Sequence, residues 1–419
     1  MRSKPVRSLP TQQTNKHNQH ARSNKRMVHP DFRQEAANLY DYMVAQRRDF
    51  HRHPELGFQE FRTAGIVADT LQELGLEVQR GVGQTGVVGL LEGSRPGPTL
   101  LVRFDMDALP IEEENRVEYT SQNPGVMHAC GHDGHVTMGL TLAKIFARYQ
   151  EEMAGTIKFV FQPAEEGMGG AFAMIADGVL ENPRPDVALA MHLWTPETYG
   201  KVRVVEGPCM ASSSVFTLTV KGHGGHGAAP HLAVDPILAA AQIVSALQSI
   251  VSRNINPQDS VVVSIGQFIS GTTFNVIPDR AILKGTVRSY DNDLHRMIYR
   301  RILEMAHNMA IAFSCEATME TIAIVAAVNN APEPTAVVRR AATQIMGEEN
   351  LVEHRTMASE DMGYILEEIP GCYFFVGASN PEKGFIYPHH HPRFDFDERA
   401  MLDGVAVMGQ AIANYLFTS

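Results

Sequence analysis

Three short, mostly apolar segments, each followed by acidic or histidine residues, limit the folds open to this chain more than any other feature. The segments are Thr99–Phe104, Ile157–Phe161 and Val187–Met191, and helical patterns near Val136–Tyr149 and Ala171–Ala176 lie between them. Strands that are apolar on both sides belong to sheets whose two faces are covered by helices. The sequence therefore predicts an α/β fold with a central sheet covered on both faces.

The pattern changes after Pro208, which indicates a second domain. Val215–Val220 alternates like a half-exposed strand, and the segments that follow have the patterns of helix, strand, strand, helix and strand up to Ile322. This β-α-β-β-α-β order is typical of a small two-layer α+β domain. Because α/β character returns afterwards, we predict that residues 209–322 are inserted into a catalytic domain formed by residues 28–208 and 323–419.

Residues 1–27 differ from the rest of the chain. They carry seven basic residues, no acidic residue and few apolar ones. They lack the apolar segment of a secretory signal and the amphipathic face of a transit peptide. We therefore predict a disordered basic tail before a domain that begins near Met27.

The bulk composition narrows the function classes. A chain of 419 residues is long enough for two domains, and its formal net charge of -11 argues against binding to nucleic acid. No apolar run approaches the roughly 20 residues of a membrane span, so no membrane association is expected. Four cysteines are too few for a disulfide framework, which favours a reducing, cytoplasmic location.

The polar residues that follow the apolar strands point to one crevice. Acidic pairs follow the first two strands and a histidine follows the third: Asp105, Asp107, Glu165, Glu166 and His192. Sites in open α/β sheets lie at the carboxyl ends of the strands, so these side chains should converge. Each group alone has an ordinary interpretation, such as a turn, a helix start or a core histidine. Their conjunction with two more clusters, at 128–135 and 389–391, favours a functional site.

The mixture of imidazole, carboxylate and thiol groups in these clusters indicates a metal centre. Such donors suit Zn²⁺, Mn²⁺, Ni²⁺ or Co²⁺ and are wrong for Ca²⁺ or Mg²⁺. One zinc ion needs only three or four protein ligands, so the larger set here predicts two divalent ions. Adjacent Glu165 and Glu166 cannot easily bind one ion in the same orientation, so one could bind metal while the other accepts a proton from water.

Four segments resemble the M20 metallopeptidase family, and in particular its amidohydrolase branch of hippurate hydrolases, N-acyl-amino-acid amidohydrolases and auxin–amino acid conjugate hydrolases. The segments are Arg103–Pro110, Met127–His135, Gln162–Gly167 and His390–Glu398. The resemblance extends over nearly the whole chain from about Met27, and the Cys-Gly-His-Asp-Gly-His signature is specific. It implies a zinc-peptidase-like catalytic domain with a mixed sheet covered by helices.

The resemblance also implies roles for individual residues. Five residues would bind the two metal ions: Cys130, His132, Glu166, His192 and His390. Cys130 would bridge the ions, and Glu165 would be the general base that activates water and then protonates the leaving amine. Asp107 matches an aspartate that supports a metal ligand. Asp105 stands where other branches of the family carry a metal-binding histidine, and we leave it out of the ligand set.

The inserted segment resembles the lid and dimerisation domain of the same family, a ferredoxin-like α+β domain. By this resemblance His226 would help to stabilise the tetrahedral oxyanion, while Asn275 and Arg288 would contact the substrate carboxylate. Hinging of this domain would close the site. The resemblance also implies a homodimer or tetramer that forms through the inserted domain.

We therefore expect a metal-dependent amidohydrolase that cleaves N-acyl amino acids of the hippurate or N-acetyl type. A dipeptidase or carboxypeptidase of the same family, acting on short peptides, is the alternative, and the sequence barely separates the two. A cysteine hydrolase with Cys130 as nucleophile would leave Glu165, Glu166 and His192 without a role. A non-catalytic metal-binding protein would be favoured if the base were missing, but Glu165 is present.

Overall fold

The computed structural model describes residues 1–2 and 30–417, apart from the side chains of residues 322–324. The tail predicted for residues 1–27 therefore lies almost wholly outside the described residues. None of the helices in the described ranges is both long enough and apolar enough to cross a bilayer.

The described residues form ten α-helices and sixteen strands. The helices are α1 (Phe32–Asn38), α2 (Tyr40–Arg52), α3 (Phe61–Glu73), α4 (His132–Arg148), α5 (Gly170–Ala176), α6 (Pro236–Ser249), α7 (Asn292–Ala312), α8 (Pro332–Met346), α9 (Met362–Glu368) and α10 (Ala400–Leu416). The strands are β1 (Glu77–Val82), β2 (Gly86–Glu92), β3 (Arg95–Asp105), β4 (Ala154–Gln162), β5 (Val187–Thr198), β6 (Val202–Arg203), β7 (Gly207–Met210), β8 (Ser212–Lys221), β9 (Gly225–His226), β10 (Val261–Ser270), β11 (Val276–Ile277), β12 (Arg280–Ser289), β13 (Glu316–Val325), β14 (Val328–Asn330), β15 (Leu351–Val352) and β16 (Gly371–Ser379).

Eight strands form a mixed sheet in the order β1-β2-β4-β3-β5-β16-β6-β15. The four middle strands β4, β3, β5 and β16 run parallel to one another. Antiparallel pairs join β1 to β2, β2 to β4 and β6 to β16. This arrangement confirms the predicted α/β fold with a mixed sheet, and the parallel centre directs the carboxyl ends of its strands to one edge.

Alternate residues of the middle strands enter two separate apolar clusters. Leu100 and Val102 of β3 belong to a cluster with residues of α1 to α4, α8 and α10, whereas Leu101 belongs to a second cluster with residues of α5 and α9. Successive side chains of a strand point to opposite faces, so a strand that is apolar at every position buries both faces. Each fully buried Val or Leu side chain contributes roughly 1.5–3 kcal/mol relative to exposure. The double covering therefore fixes the strands whose ends carry the candidate site.

A separate four-stranded antiparallel sheet has the order β10-β12-β8-β13. Phe216 of β8 shares one apolar cluster with Ile243 of α6 and Ile298 of α7, so both helices cover the same face. The side chains of Asp235 and Asp291 begin these helices by accepting hydrogen bonds from backbone amides of the first turn. The element order β8-α6-β10-β12-α7-β13 matches the β-α-β-β-α-β order read from the sequence, while the domain boundaries stay a prediction.

Candidate metal centre

A cavity of about 330 Å³ lies at the carboxyl ends of the central parallel strands. Six of the site residues predicted from the sequence line it: Cys130, Glu165, Glu166, His192, Arg288 and His390. Asp107 and His132, which are buried, lie directly against this set. The cavity also has an apolar wall that includes Trp194 and Met210. The structure thus brings together residues that are up to 283 positions apart in the chain, from Asp107 to His390 (390 minus 107).

Cys130 belongs to two groups of side chains that could each hold one ion. Its Sγ lies 3.4 Å from Nε2 of His192, and His132 completes this first group. In the second group, Oε1 of Glu166 lies 3.3 Å from Nε2 of His390. The ligand atoms of each group lie within 4.8 Å of one another. This geometry suits two ions that share the cysteine sulfur.

One of these ligand atoms, Nε2 of His132, is buried without a hydrogen-bond partner among the described residues. Leaving such an atom unpaired costs about 1–3 kcal/mol, and a bound cation would remove that cost. Nδ1 of His132 contacts the backbone oxygen of Asp107 at 2.9 Å, and Nδ1 of His192 contacts that of Leu193 at 2.6 Å. Both rings therefore keep the Nε2 lone pair for a metal. One thiol, three imidazoles and one carboxylate fit a pair of borderline divalent ions.

Asp107 contacts two of the predicted ligands. Its Oδ2 accepts a hydrogen bond from the backbone N–H of Glu166 at 3.0 Å, and its Oδ1 lies 3.2 Å from Nδ1 of His132. Ligands of a metal ion are commonly oriented by a carboxylate of this kind. The arrangement can therefore hold one ligand from each group in register with the other.

Asp105 uses both carboxylate oxygens inside the protein. Arg103 donates to it from Nη1 at 2.7 Å, and His135 contacts it through Nδ1 at 2.6 Å. Nε2 of His135 in turn accepts the backbone N–H of Leu193 at 2.9 Å, next to His192. His135 had no predicted role, because a histidine-rich segment does not distinguish a metal ligand from a histidine that orients one.

The run of three histidines divides into three different environments. His389 is half-buried, and its Nε2 contacts the backbone oxygen of Leu193 at 2.9 Å. The ring of His391 stacks on Tyr387 with centroids 4.5 Å apart. His390, the predicted ligand, is the member that joins the second group.

Two residues beside the cavity have left-handed backbone conformations that are rare for side chains with a Cβ. They are Ala164, with φ of 52°, and His390, with φ of 65°. Such conformations cost on the order of 1–3 kcal/mol and persist where the surrounding structure enforces them. Here the N–H of Ala164 donates to Oε1 of Glu60, and the N–H of His390 donates to the backbone oxygen of Ala129, both at 2.8 Å.

Glu165 lies beside the carboxyl groups of Glu360 and Asp361, with one oxygen of each within 4.8 Å of the others. Burial, together with Glu360 and Glu166, raises the pKa of Glu165 well above its usual range. A carboxyl group with a raised pKa is suited to accept a proton and then release it. The position and protonation behaviour of Glu165 therefore suit a general base.

The acidic pair Glu360–Asp361 and its buried partner Arg103 were not predicted as site residues from the sequence. Nη2 of Arg103 contacts Oε1 of Glu360 at 2.8 Å and Oδ1 of Asp361 at 3.0 Å. Burial raises the pKa of Asp361 to about 8 despite the opposing charge of Arg103. The only local signal is an acidic dipeptide before an apolar helix, a pattern that is equally typical of an ordinary helix start.

The structure separates the three residues predicted in the inserted segment. Arg288 of β12 lines the cavity and donates from Nη1 to Oγ of Ser359 at 2.7 Å. His226 and Asn275 are exposed, and His226 lines a different cavity of about 730 Å³. The structure does not bring these two residues to the predicted ligands, because His226 pairs with Val276 in a separate two-stranded sheet, β9-β11, outside that cavity.

Comparison with known proteins shows extensive similarity. The model of peptidase family M20/M25/M40 matches residues 101–414. Hippurate hydrolase of Campylobacter jejuni is 39% identical over 372 residues, which cover 88% of this chain and 95% of that protein. Thermostable carboxypeptidase 2 of Saccharolobus solfataricus is 40% identical over 367 residues, which cover 86% of this chain and 92% of that protein. A Bacillus subtilis crystal structure, described as a dinuclear metal-binding peptidase of family M20, has a TM-score of 0.77 and 31% identity and covers 90% of this chain and 97% of its own.

Proposed function

The chain belongs to peptidase family M20/M25/M40 and is a hydrolase of amide bonds, and we propose that it cleaves N-acyl amino acids with two bound divalent metal ions. The proposed ligands are Cys130, His132, Glu166, His192 and His390. The observation that carries the proposal is that Cys130 belongs to both groups of ligand atoms. A carboxylate oxygen of Glu165 also lies within 4.8 Å of the ligand atoms of His132, from the first group, and of Glu166, from the second. When bound, the ions lower the pKa of water and polarise a carbonyl oxygen.

Glu165 carries the proton in the proposed reaction. Its carboxylate removes a proton from the attacking water as the water oxygen bonds to the amide carbon. The same carboxyl group then gives the proton to the amide nitrogen as the C–N bond breaks, which releases a carboxylic acid and a free amino acid. The raised pKa of Glu165 supports this role, because the proton must be held between the two steps.

Arg288 is proposed to bind the substrate carboxylate. It is partly buried, lines the cavity, and donates its hydrogen bond to a neutral hydroxyl, that of Ser359. A guanidinium in such surroundings prefers a carboxylate, which it can bind through two parallel hydrogen bonds. The free carboxylate of an N-acyl amino acid meets this requirement.

His226 and Asn275 would take part only after a movement of the inserted segment. Both are exposed, and the cavity with the proposed ligands does not include them. The antiparallel pair β7-β14 lies where the chain leaves and re-enters the larger sheet, so it is the natural hinge. Closure there would allow His226 to stabilise the oxyanion and Asn275 to contact the carboxylate.

We also propose a homodimer or tetramer and a cytoplasmic location. β10 is an edge strand of the four-stranded sheet, and it carries exposed Phe268 and Ile269 near exposed Phe274 and Val276. An apolar patch on a sheet edge is typical of a surface that another subunit covers. All four cysteines are buried and unpaired, which supports a reducing compartment.

A carboxypeptidase is the second candidate, because a carboxypeptidase is among the relatives at 40% identity and Arg288 could equally bind the C-terminal carboxylate of a peptide.

A mechanism with Cys130 as nucleophile is disfavoured. Burial and the carboxylate of Glu166 raise the pKa of the Cys130 thiol well above its usual range, whereas nucleophilic attack needs the thiolate.

The proposal is tested by assaying N-acetyl-, N-benzoyl- and indoleacetyl-amino acids beside dipeptides, before and after chelation. We expect hydrolysis of the acylated substrates that is lost on chelation and restored by Zn²⁺, Mn²⁺, Co²⁺ or Ni²⁺. A preference for peptides would favour the carboxypeptidase. Full activity in chelator would reject the metal mechanism and favour Cys130 as a nucleophile.

A further inference from the structure

Arg47 of α2 lies outside the cavity but contacts the chain segments on both sides of the proposed metal centre. Its side chain is 0% exposed. Nε contacts Oδ2 of Asp133 at 2.8 Å, Nη2 contacts Oδ1 of Asp395 at 2.8 Å, and Nη1 contacts Oε1 of Glu398 at 3.5 Å. One guanidinium thus joins the segment of Cys130 and His132 to the segment that begins at His390.

The Asp133 arm of this contact fixes the start of α4. Asp133 directly follows His132, and its Oδ1 accepts the backbone N–H of Gly134 at 2.9 Å. Its Oδ2 receives both Nε of Arg47 and Nδ1 of His51, each at 2.8 Å. The carboxylate is therefore held from three directions, so the first turn of α4 has little freedom to shift.

The Asp395 arm fixes the segment that follows His390. Oδ1 of Asp395 accepts Nη2 of Arg47 and the backbone N–H of Phe396 at 2.9 Å, and Oδ2 accepts the hydroxyl of Tyr119 at 2.7 Å. The backbone N–H of His390 donates to the carbonyl oxygen of Ala129 at 2.8 Å, so the two segments meet directly at the proposed ligands. Arg47, which lies outside the cavity, contacts the same two segments.

A buried network of charged residues contributes little net stability, because burial removes each charge from water. Well-packed apolar side chains of similar volume often stabilise a fold as well as a buried ion pair or better. A planar guanidinium, however, fixes two carboxylates in a set geometry through its fork of N–H groups. The arrangement is better explained by a need to fix the relative position of two segments than by a need for stability.

We propose that Arg47 is a positioning residue of the metal centre: it holds the Cys130–His132 segment against the His390 segment, so that the two groups of ligand atoms keep their separation. The inference rests on the proposed function, because it requires that these residues bind metal. It predicts that loosening this contact lowers metal affinity, although Arg47 touches none of the five ligand side chains.

The test is titration of the chelator-stripped protein with Co²⁺ against a competing chelator dye, together with the absorption spectrum of the loaded protein. Arg47→Lys keeps the positive charge but cannot bridge both aspartates with a fork. We expect it to lower Co²⁺ affinity about 10- to 100-fold, the range for partners that orient metal ligands. We also expect an altered thiolate-to-cobalt charge-transfer band, because this band reports the Cys130–metal bond.

Arg48→Met is the matched control. Arg48 is the next residue of α2, is about one third exposed, and contacts Glu398 with both Nε and Nη2 but reaches neither aspartate. Its loss should leave affinity and spectrum unchanged. Asp395→Asn is a second test variant that cuts one arm without removing the cation, and it decides the question if Arg47→Lys does not fold. We expect about a tenfold loss of affinity for it.

Wild-type Co²⁺ affinity and an unchanged spectrum in folded Arg47→Lys, or in Asp395→Asn if the lysine variant does not fold, would overturn the proposal and leave Arg47 a purely structural residue. Equal losses in Arg47→Lys and Arg48→Met would overturn it too. A wild-type protein that binds no Co²⁺ would instead reject the metal centre itself, so the two failures are distinguishable.

Discussion

The Sγ of Cys130 lies 3.4 Å from Nε2 of His192, and the same sulfur also belongs to a group with Glu166 and His390. A ligand that both groups share should affect metal binding more than a ligand that belongs to one group. Loss of the shared sulfur should disturb both ions, whereas loss of an outer imidazole should disturb one.

This difference predicts the metal content of two variants. We expect Cys130→Ala to retain less than one ion per chain after desalting. His390→Ala should retain about one ion, because this substitution leaves the three ligands of the first group, Cys130, His132 and His192, in place. Elemental analysis of the desalted proteins measures this directly. Equal metal content in the two variants would contradict a shared sulfur.

Asp107 should control metal affinity without being a ligand. Asp107→Asn replaces an oxygen that accepts from the N–H of Glu166 or lies near Nδ1 of His132, so we expect metal affinity to fall about 10- to 100-fold. The control is Asp69→Asn, which removes an exposed carboxylate paired with Arg80. Competition with a chelator dye measures both, and wild-type affinity in Asp107→Asn would show that this carboxylate does not orient the ligands.

The contribution of Arg288 to kcat/KM should depend on whether the substrate carries a free carboxylate. Arg288→Met should lower kcat/KM for an N-acyl amino acid about 10- to 100-fold, corresponding to one charged hydrogen-bonding partner. The same variant should leave hydrolysis of the corresponding amino acid amide nearly unchanged. Arg280→Met, on the same strand but lining the other cavity, is the control. Equal losses on both substrates would argue that Arg288 does not bind the carboxylate.

The buried carboxyl group of Asp403 should make the free energy of unfolding depend on pH. Burial raises its pKa to about 6 in the folded protein, from 3.8, although Arg33 and Arg399 oppose this. Since the folded state holds the proton more tightly, stability should fall as the pH rises from about 4 to about 6. Asp403→Asn should remove this slope and stabilise the protein at pH 7 by up to about 3 kcal/mol.

Denaturant unfolding at pH 4, 5, 6 and 7 measures the effect. The matched control is Asp397→Asn, because Arg399 and Asn380 hydrogen-bond this carboxylate and its pKa is held below the usual range. That variant should be less stable than wild type at pH 7. Parallel pH profiles for wild type and Asp403→Asn would show that the buried carboxylate carries no such cost.

The sequence predicted those parts of the site that follow from strand topology. Asp107, Glu165 and Glu166 come directly after buried parallel strands and His192 lies within another, so their convergence follows from the sheet. The apolar pattern did not predict the short edge strands such as β6 and β15, which are too brief to have a periodicity of their own.

Contacts between distant segments could not be predicted in the same way. Arg103 pairs with Asp361 and Arg47 with Asp395 across 258 and 348 positions, and neither pair leaves a local pattern in the sequence. The distance of His226 from the cavity depends on how the four-stranded sheet is oriented against the larger one. That orientation is a tertiary property which no single segment encodes.

The proposed reaction requires that Glu165 transfers the proton while the neighbouring residues bind metal. Hydrolysis of N-benzoylglycine by Glu165→Gln protein of known metal content separates these two roles. The glutamine has the size of the carboxyl group but cannot act as a base. We expect kcat to fall about 10²- to 10⁴-fold while the metal content equals that of wild type. Activity close to wild type at equal metal content would contradict this role of Glu165.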